Sequence, residues 1–285
     1  MWGEAFRHTQ IPPPYDRRMT PAAPLPSALT DLVRAAAHWA GGWWRMLHLG
    51  AQLFALALSP SSWNAAQRRA LARHMVLGTA PSLMSFTVLT TLLSLVLIRI
   101  VLVTSISYGL TQYALEMVVR VLVLELIPLT AALFAALRCT IPSAGAVAVL
   151  RNQGQWQSLP AEGIDPLRSE VLPRVIAGVF CALMLAALSC GVTLVLAYLS
   201  LYGSTTAGFG AYTHTVGQIF NPGVSLVFSL KALCLGITVA LVPVAAVLDM
   251  APRPRSDTSI ELQGLVRMFF VILLIEAASL VGNYY

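Results

Sequence analysis

The chain is 285 residues long, 57% hydrophobic and only 11% charged, with a net charge of +6; soluble domains carry about 25% charged residues. That balance, with a mean hydropathy of +0.75, excludes an ordinary soluble domain. The basic residues are spread between apolar runs and form no single solvated face, which excludes a nucleic-acid surface.

The first 26 residues hold Arg7, Arg17, Arg18 and several prolines, without the apolar core of a signal peptide. They are expected to be extended or disordered and cytoplasmic. Residues 27–59 mix Asp31, Arg34, His38, Arg45 and His48 with Trp43, Trp44, Leu47, Leu53 and Phe54. This pattern predicts an amphipathic helix lying in the membrane interface with its indoles at headgroup depth; a soluble helix packed on a partner is the alternative. A break at 59–62 and a basic run with Arg68, Arg69 and Arg73 follow.

Five apolar stretches come next. Residues 75–98 carry no formal charge and would extend roughly 36 Å as a helix, more than a ~30 Å hydrocarbon core. The spans are predicted at about 75–103, 113–138, 170–200, 223–249 and 260–283. Residues 175–230 hold no Asp, Glu, Lys or Arg, and the glycines at 203, 208 and 210 with Asn221 and Pro222 place a loop near 202–222. Residues 139–169 are too polar to span.

Orientation follows from charge. With the amino terminus inside, the cytoplasmic segments hold Arg68, Arg69, Arg73, Arg151, Arg168, Arg174, Arg253 and Arg255, while the outer loops and carboxyl end hold no Lys or Arg. This is the positive-inside asymmetry. The ionisable residues within spans are costly unless paired or facing a cavity. Glu116 and Arg120, four apart, are expected to pair locally. Lys231 and Glu276 fall at similar depth, as a pair across spans four and five or as a polar lining for lipid headgroups. Arg267 and Asp249 are expected to pair in the same way. Glu125 is either protonated, paired with Lys231 or Arg120, or facing a wet cavity.

No Walker A, HExxH or GxSxG pattern and no clustered His/Asp/Glu set occurs, so no catalytic residue, metal site or cofactor is predicted. The cysteines at 139, 181, 190 and 234 form no CxxC pair and read as buried free thiols. His214 reads as a surface residue of the outer loop.

Residues 124–174 read LELIPLTAALFAALRCTIPSAGAVAVLRNQGQWQSLPAEGIDPLRSEVLPR. This stretch resembles the central signature of the MlaE-type permeases, which are associated with MCE proteins. Glu125 and Pro128 match the family's glutamate and proline in a membrane helix, and Arg138 its following arginine. Gln155 matches the second member of a Glu-Gln pair. Gly163, Asp165, Pro166 and Arg168 match a Gly-x-Asp-Pro block, and Pro173 with Arg174 the start of the third span. The chain departs from the pattern at Leu124, Ile127, Ala146 and Gly154.

The resemblance implies an all-α polytopic membrane protein of the bacterial inner membrane, with its amino terminus cytoplasmic. Five transmembrane helices would follow an interfacial helix, with residues 27–285 forming one permease domain behind the disordered segment 1–26. It implies a permease subunit of an ABC-type lipid (phospholipid) transporter, dimeric, with Glu125, Pro128 and Lys231 toward the substrate. A coupling helix in segment 139–169 would engage a separate ATPase through Arg151, Gln155, Trp156, Leu159, Gly163, Asp165 and Pro166. Expected partners are ABC ATPase subunits, a second permease copy or paralogue, a periplasmic MCE-domain protein and membrane lipid. The alternatives are a degenerate, structural half of a heteromeric permease and a secondary transporter.

Overall fold

The computed structural model describes residues 25–60, 63–110, 113–163, 165–249 and 258–284. The expected disorder of the first residues and the basic loop with Arg253 and Arg255 lie outside them. The chain separates into two units, residues 1–42 and 43–285. Of the first, the helical backbone from Leu25 is described; the account below concerns the second.

The described residues contain helices and turns and no strand. Seven elements carry the fold: α1 (Leu25–Leu58), α2 (Ala65–Ser107), α3 (Ala114–Asn152), α4 (Leu167–Tyr202), α5 (Phe209–Ile219), α6 (Pro222–Asp249) and α7 (Thr258–Tyr284). Five of them, α2, α3, α4, α6 and α7, are long and apolar enough to cross a membrane. An all-helical solution is what lipid demands, because backbone N–H and C=O groups find no water there.

The helices overrun the predicted spans. The basic run before span one is the first part of α2, and α3 carries on past the predicted end at 138 to Asn152. At about 1.5 Å per residue α3 is roughly 58 Å long, so its last turns project beyond any hydrocarbon core. The expected loop at 202–222 contains α5, an amphipathic helix whose Tyr212 and Ile219 are buried. Tyr212 donates to Leu194 O at 2.8 Å; burial and the neighbouring Tyr202 push its phenol up to about 12, so it stays a donor. His214 on the same helix is exposed, as expected.

Three stretches of α3 and α4 widen into π-helix: Val118–Leu126, Ala136–Thr140 and Leu167–Val171. Each is followed within two residues by a proline, Pro128, Pro142 and Pro173. Proline has no N–H to donate and its ring crowds the carbonyl four residues back. Widening the preceding turn relieves that crowding.

Helix α4 is central, packing on α2, α3 and α6, and α7 packs on α6. The core is built from small residues, as expected where lipid removes the hydrophobic incentive to associate. Ala131, Ala132, Ala135 and Ala136 of α3 meet Cys181, Ala182 and Ala186 of α4 and Val239 of α6. A Cβ at Gly178 would lie 2.8 Å from Thr140 Cγ2 and 3.1 Å from Ala240 Cβ, so α3, α4 and α6 converge there. Ser94 of α2 and Thr193 of α4 share a buried hydrogen bond of 2.8 Å. Cys139 and Cys181 are free thiols in contact between α3 and α4. The outward faces are apolar: Val88, Leu92 and Val96 of α2 and Val266 and Leu273 of α7 are exposed, a surface suited to lipid and hostile to water.

From Trp43 onward α1 has two different apolar faces. Met46 and Leu53 are buried in the bundle, and Trp43 meets Phe270 edge-on at 5.9 Å. Trp44, Leu47, Phe54 and Leu58 face outward.

Candidate functional site

The structure brings together three ionisable residues from three membrane helices. Lys231 of α6 forms ion pairs with Glu125 of α3 and with Glu276 of α7, the latter at 2.9 Å. The lysine side chain is 1% exposed and the two carboxylates 14% and 16%. A charge withdrawn from water is tolerated only where partners replace its hydration, and here a single ammonium serves both acids. Charge neutrality needs only one of the two carboxyls ionised. Glu276 Oε2 is buried and has no hydrogen-bond partner among the described residues, so the cluster is under-satisfied on its α7 side.

The third contact of Lys231 is to the backbone of α3. Lys231 Nζ donates to the backbone carbonyl of Leu124 at 3.4 Å. Leu124 lies in the widened stretch of α3 just before Pro128, whose missing N–H removes one helical donor there. Pro128 itself is buried in α3, one turn beyond that carbonyl. A cation beside Glu125 comes from α6, as Lys231.

Other pairings divide between expectation and correction. Arg120 Nε lies 2.9 Å from Glu116 Oε1, the expected local pair. The expected Arg267–Asp249 pair is not formed: Asp249 pairs with Arg45 of α1 at 2.8 Å, and Arg267 Nε has no hydrogen-bond partner among the described residues. Arg45 had been assigned to an interfacial face, and nothing in its spacing pointed to the end of α6.

The predicted coupling helix is not one helix. Helix α3 ends at Asn152, Gly154 adopts φ +76°, and a short turn, Gln155–Ser158, follows at a new direction. Only glycine adopts this left-handed backbone without steric cost, so Gly154 ends the helix. Arg151 turns inward: its Nη1 donates to Val247 O and Leu248 O, both at 2.8 Å. Those are orphan carbonyls in the last turn of α6, where a cation is also favoured by the helix dipole. Trp156 is half-buried against Ala144, Val171 and Val244, while Gln155 is exposed and Leu159 partly so. Gly163 has φ +74° and ends a 3-10 turn. Asp165 Oδ1 accepts from Leu167 N at 3.0 Å, capping the start of α4 beside Pro166.

The segment is thus a strap between α3 and α4, and Arg151 at its start is bonded to the carboxyl-terminal end of α6. The carboxyl-terminal end of α3 is tied to α6 by Arg151, and its apolar portion is tied to α6 by Glu125 and Lys231. The two ties sit roughly 24 Å apart along α6 at about 1.5 Å per residue.

A comparison with curated proteins finds no match. Residues 71–281 match the model of a family described as Permease MlaE. That range takes in all five apolar helices, the three-residue cluster and the strap. The protein is a multi-pass membrane protein that belongs to the MlaE permease family, the permeases of ABC-type lipid transporters.

Proposed function

We propose that the chain works as one half of a dimeric permease in a bacterial inner membrane, its amino terminus cytoplasmic. It would enclose a phospholipid path with a second copy or a paralogue and draw energy from separate ATPase subunits. Glu125, Pro128 and Lys231 act at that path by holding its wall in one charged arrangement. A periplasmic MCE-domain protein would continue the route. The observation that carries this reading is the double tie between α3 and α6. A push on the strap from Gln155 to Pro166 reaches α6 through Arg151 and its two carbonyl acceptors. It then reaches the membrane cluster along α6, which is helical from Lys231 to Leu248 with Pro243 between them.

Within the strap the roles divide. Gln155, Leu159 and Gly163 lie on the accessible side and suit ATPase contact, whereas Trp156, Asp165 and Pro166 hold its shape. The test is reconstitution with the ATPase subunit in vesicles, following ATP hydrolysis and lipid transfer together. Arg151→Ala should leave ATPase binding intact and lower the lipid transferred per ATP hydrolysed. An unchanged ratio would refute the mechanical link. If no ATPase binds the wild-type chain, the reading as a structural half of a heteromeric permease takes its place.

A further inference from the structure

A second polar site lies at the Arg-rich ends of α2, α3 and α4, well away from the membrane cluster. Glu125 and Arg138 share helix α3 and are separated by about 20 Å along its axis. Here a cavity of about 330 Å³ opens between the three helices, within the size range of ligand sites. Its polar lining is His74 from α2, Arg138 and Ser143 from α3, and Arg174 from α4, with Leu77 supplying an apolar side.

The charge balance of this cavity is positive. Arg174, 11% exposed at its side chain, is held by the Glu170 carboxylate and donates to Glu170 O at 2.6 Å. That pair fixes the guanidinium in place and cancels its charge. Arg138 is exposed and has no ion-pair partner among the described residues. The acid in reach is therefore spent on one arginine, and the second is left facing the cavity. Arg68, Arg69 and Arg73 extend the same positive end of α2. Basic pockets between transmembrane helices at the cytoplasmic side suit anionic lipid headgroups, and guanidinium groups match phosphate oxygens in geometry.

We propose that this cavity binds the phosphate of an anionic phospholipid drawn from the inner leaflet. Arg138 takes the phosphate, Ser143 and His74 add donors, and an acyl chain runs outward over Leu77. The site goes beyond the transport reading and does not depend on the Glu125–Lys231–Glu276 cluster. It would seat a resident lipid where α2, α3 and α4 meet, beside the start of the strap.

The experiment is native mass spectrometry of the full chain in detergent, titrated separately with phosphatidylglycerol, phosphatidylethanolamine and glycerol phosphate. Phosphatidylglycerol should be retained over phosphatidylethanolamine. Arg138→Gln should weaken its binding about fivefold. Ala146→Glu, which puts a carboxylate at an exposed lining position, should weaken it at least as much. Both variants should melt as the wild type does, and Glu276→Gln should bind phosphatidylglycerol normally, so that this site and the transport reading fail separately. Equal retention of the two lipids, or insensitivity to both lining variants, would overturn the proposal. So would Arg138-dependent binding of glycerol phosphate without binding of phosphatidylglycerol, which would make the site one for a soluble phosphate.

Discussion

Replacing Lys231 with methionine is the most severe single change the membrane cluster allows. Methionine nearly matches the lysine in length and keeps the apolar contacts of its stem. What disappears is the ammonium that pairs with both Glu125 and Glu276, together with the donor to Leu124 O. Removing one partner of a buried pair costs about 3–5 kcal/mol. For chains of roughly this size each kcal/mol moves the melting temperature by about 2–4 °C, so Lys231→Met should melt roughly 6–20 °C lower in detergent. Glu276→Gln is the control. It leaves Lys231 paired with Glu125 and still offers an acceptor, so its cost should be about 1 kcal/mol or less. Glu125→Gln should fall between the two, because it leaves Lys231 with Glu276 but loses the acid nearest to it. The Lys231→Met, Glu125→Gln double variant should cost less than the sum of its parts. Melting curves of the four variants and the wild type, recorded by tryptophan fluorescence, decide the matter. The reasoning is refuted if Lys231→Met melts within about 2 °C of wild type, or if Glu276→Gln proves the more damaging change.

Two further outcomes follow from packing and from charge. Gly178→Val should cost about 1–3 kcal/mol through overpacking, since even its Cβ would press on Thr140 and Ala240; thermal unfolding reads this directly, and an unchanged melt would show that α4 can shift aside. Single cysteines at Gln157 and Asn283 in a cysteine-free background should react with an impermeant thiol reagent from opposite sides of the membrane; labelling from the same side would exclude an odd number of crossings.

The number and order of the membrane helices were readable because a bilayer imposes a length and a composition on every crossing. An uncharged run such as 75–98 has few other uses. The cap at Asp165 and Pro166 was equally plain, since it depends on neighbours in the chain. The same holds for Glu116 and Arg120, which are one helical turn apart. Helix ends were less readable. Nothing local stops α3 at residue 138, because the prolines at 128 and 142 are accommodated by widened turns and do not break it. Only the left-handed backbone at Gly154 ends it.

Composition and spacing by themselves determined an all-helical, five-crossing membrane protein, and they marked Glu125 and Lys231 as residues that need partners. Which partners they have was decided by tertiary structure. Lys231 was free to take either acid alone, and Asp249 to take Arg267; the fold gave Lys231 both acids and gave Asp249 to Arg45. Arg151 and Trp156, which the resemblance implies for ATPase coupling, are seen to contact the end of α6 and the bundle. The physical reason is the same in each case. Hydropathy depends on each residue alone and is summed along the chain, whereas an ion pair depends on the distance between helices whose relative rotation is set by close contact of small residues such as Gly178 and Ala240. No sequence spacing encodes that rotation.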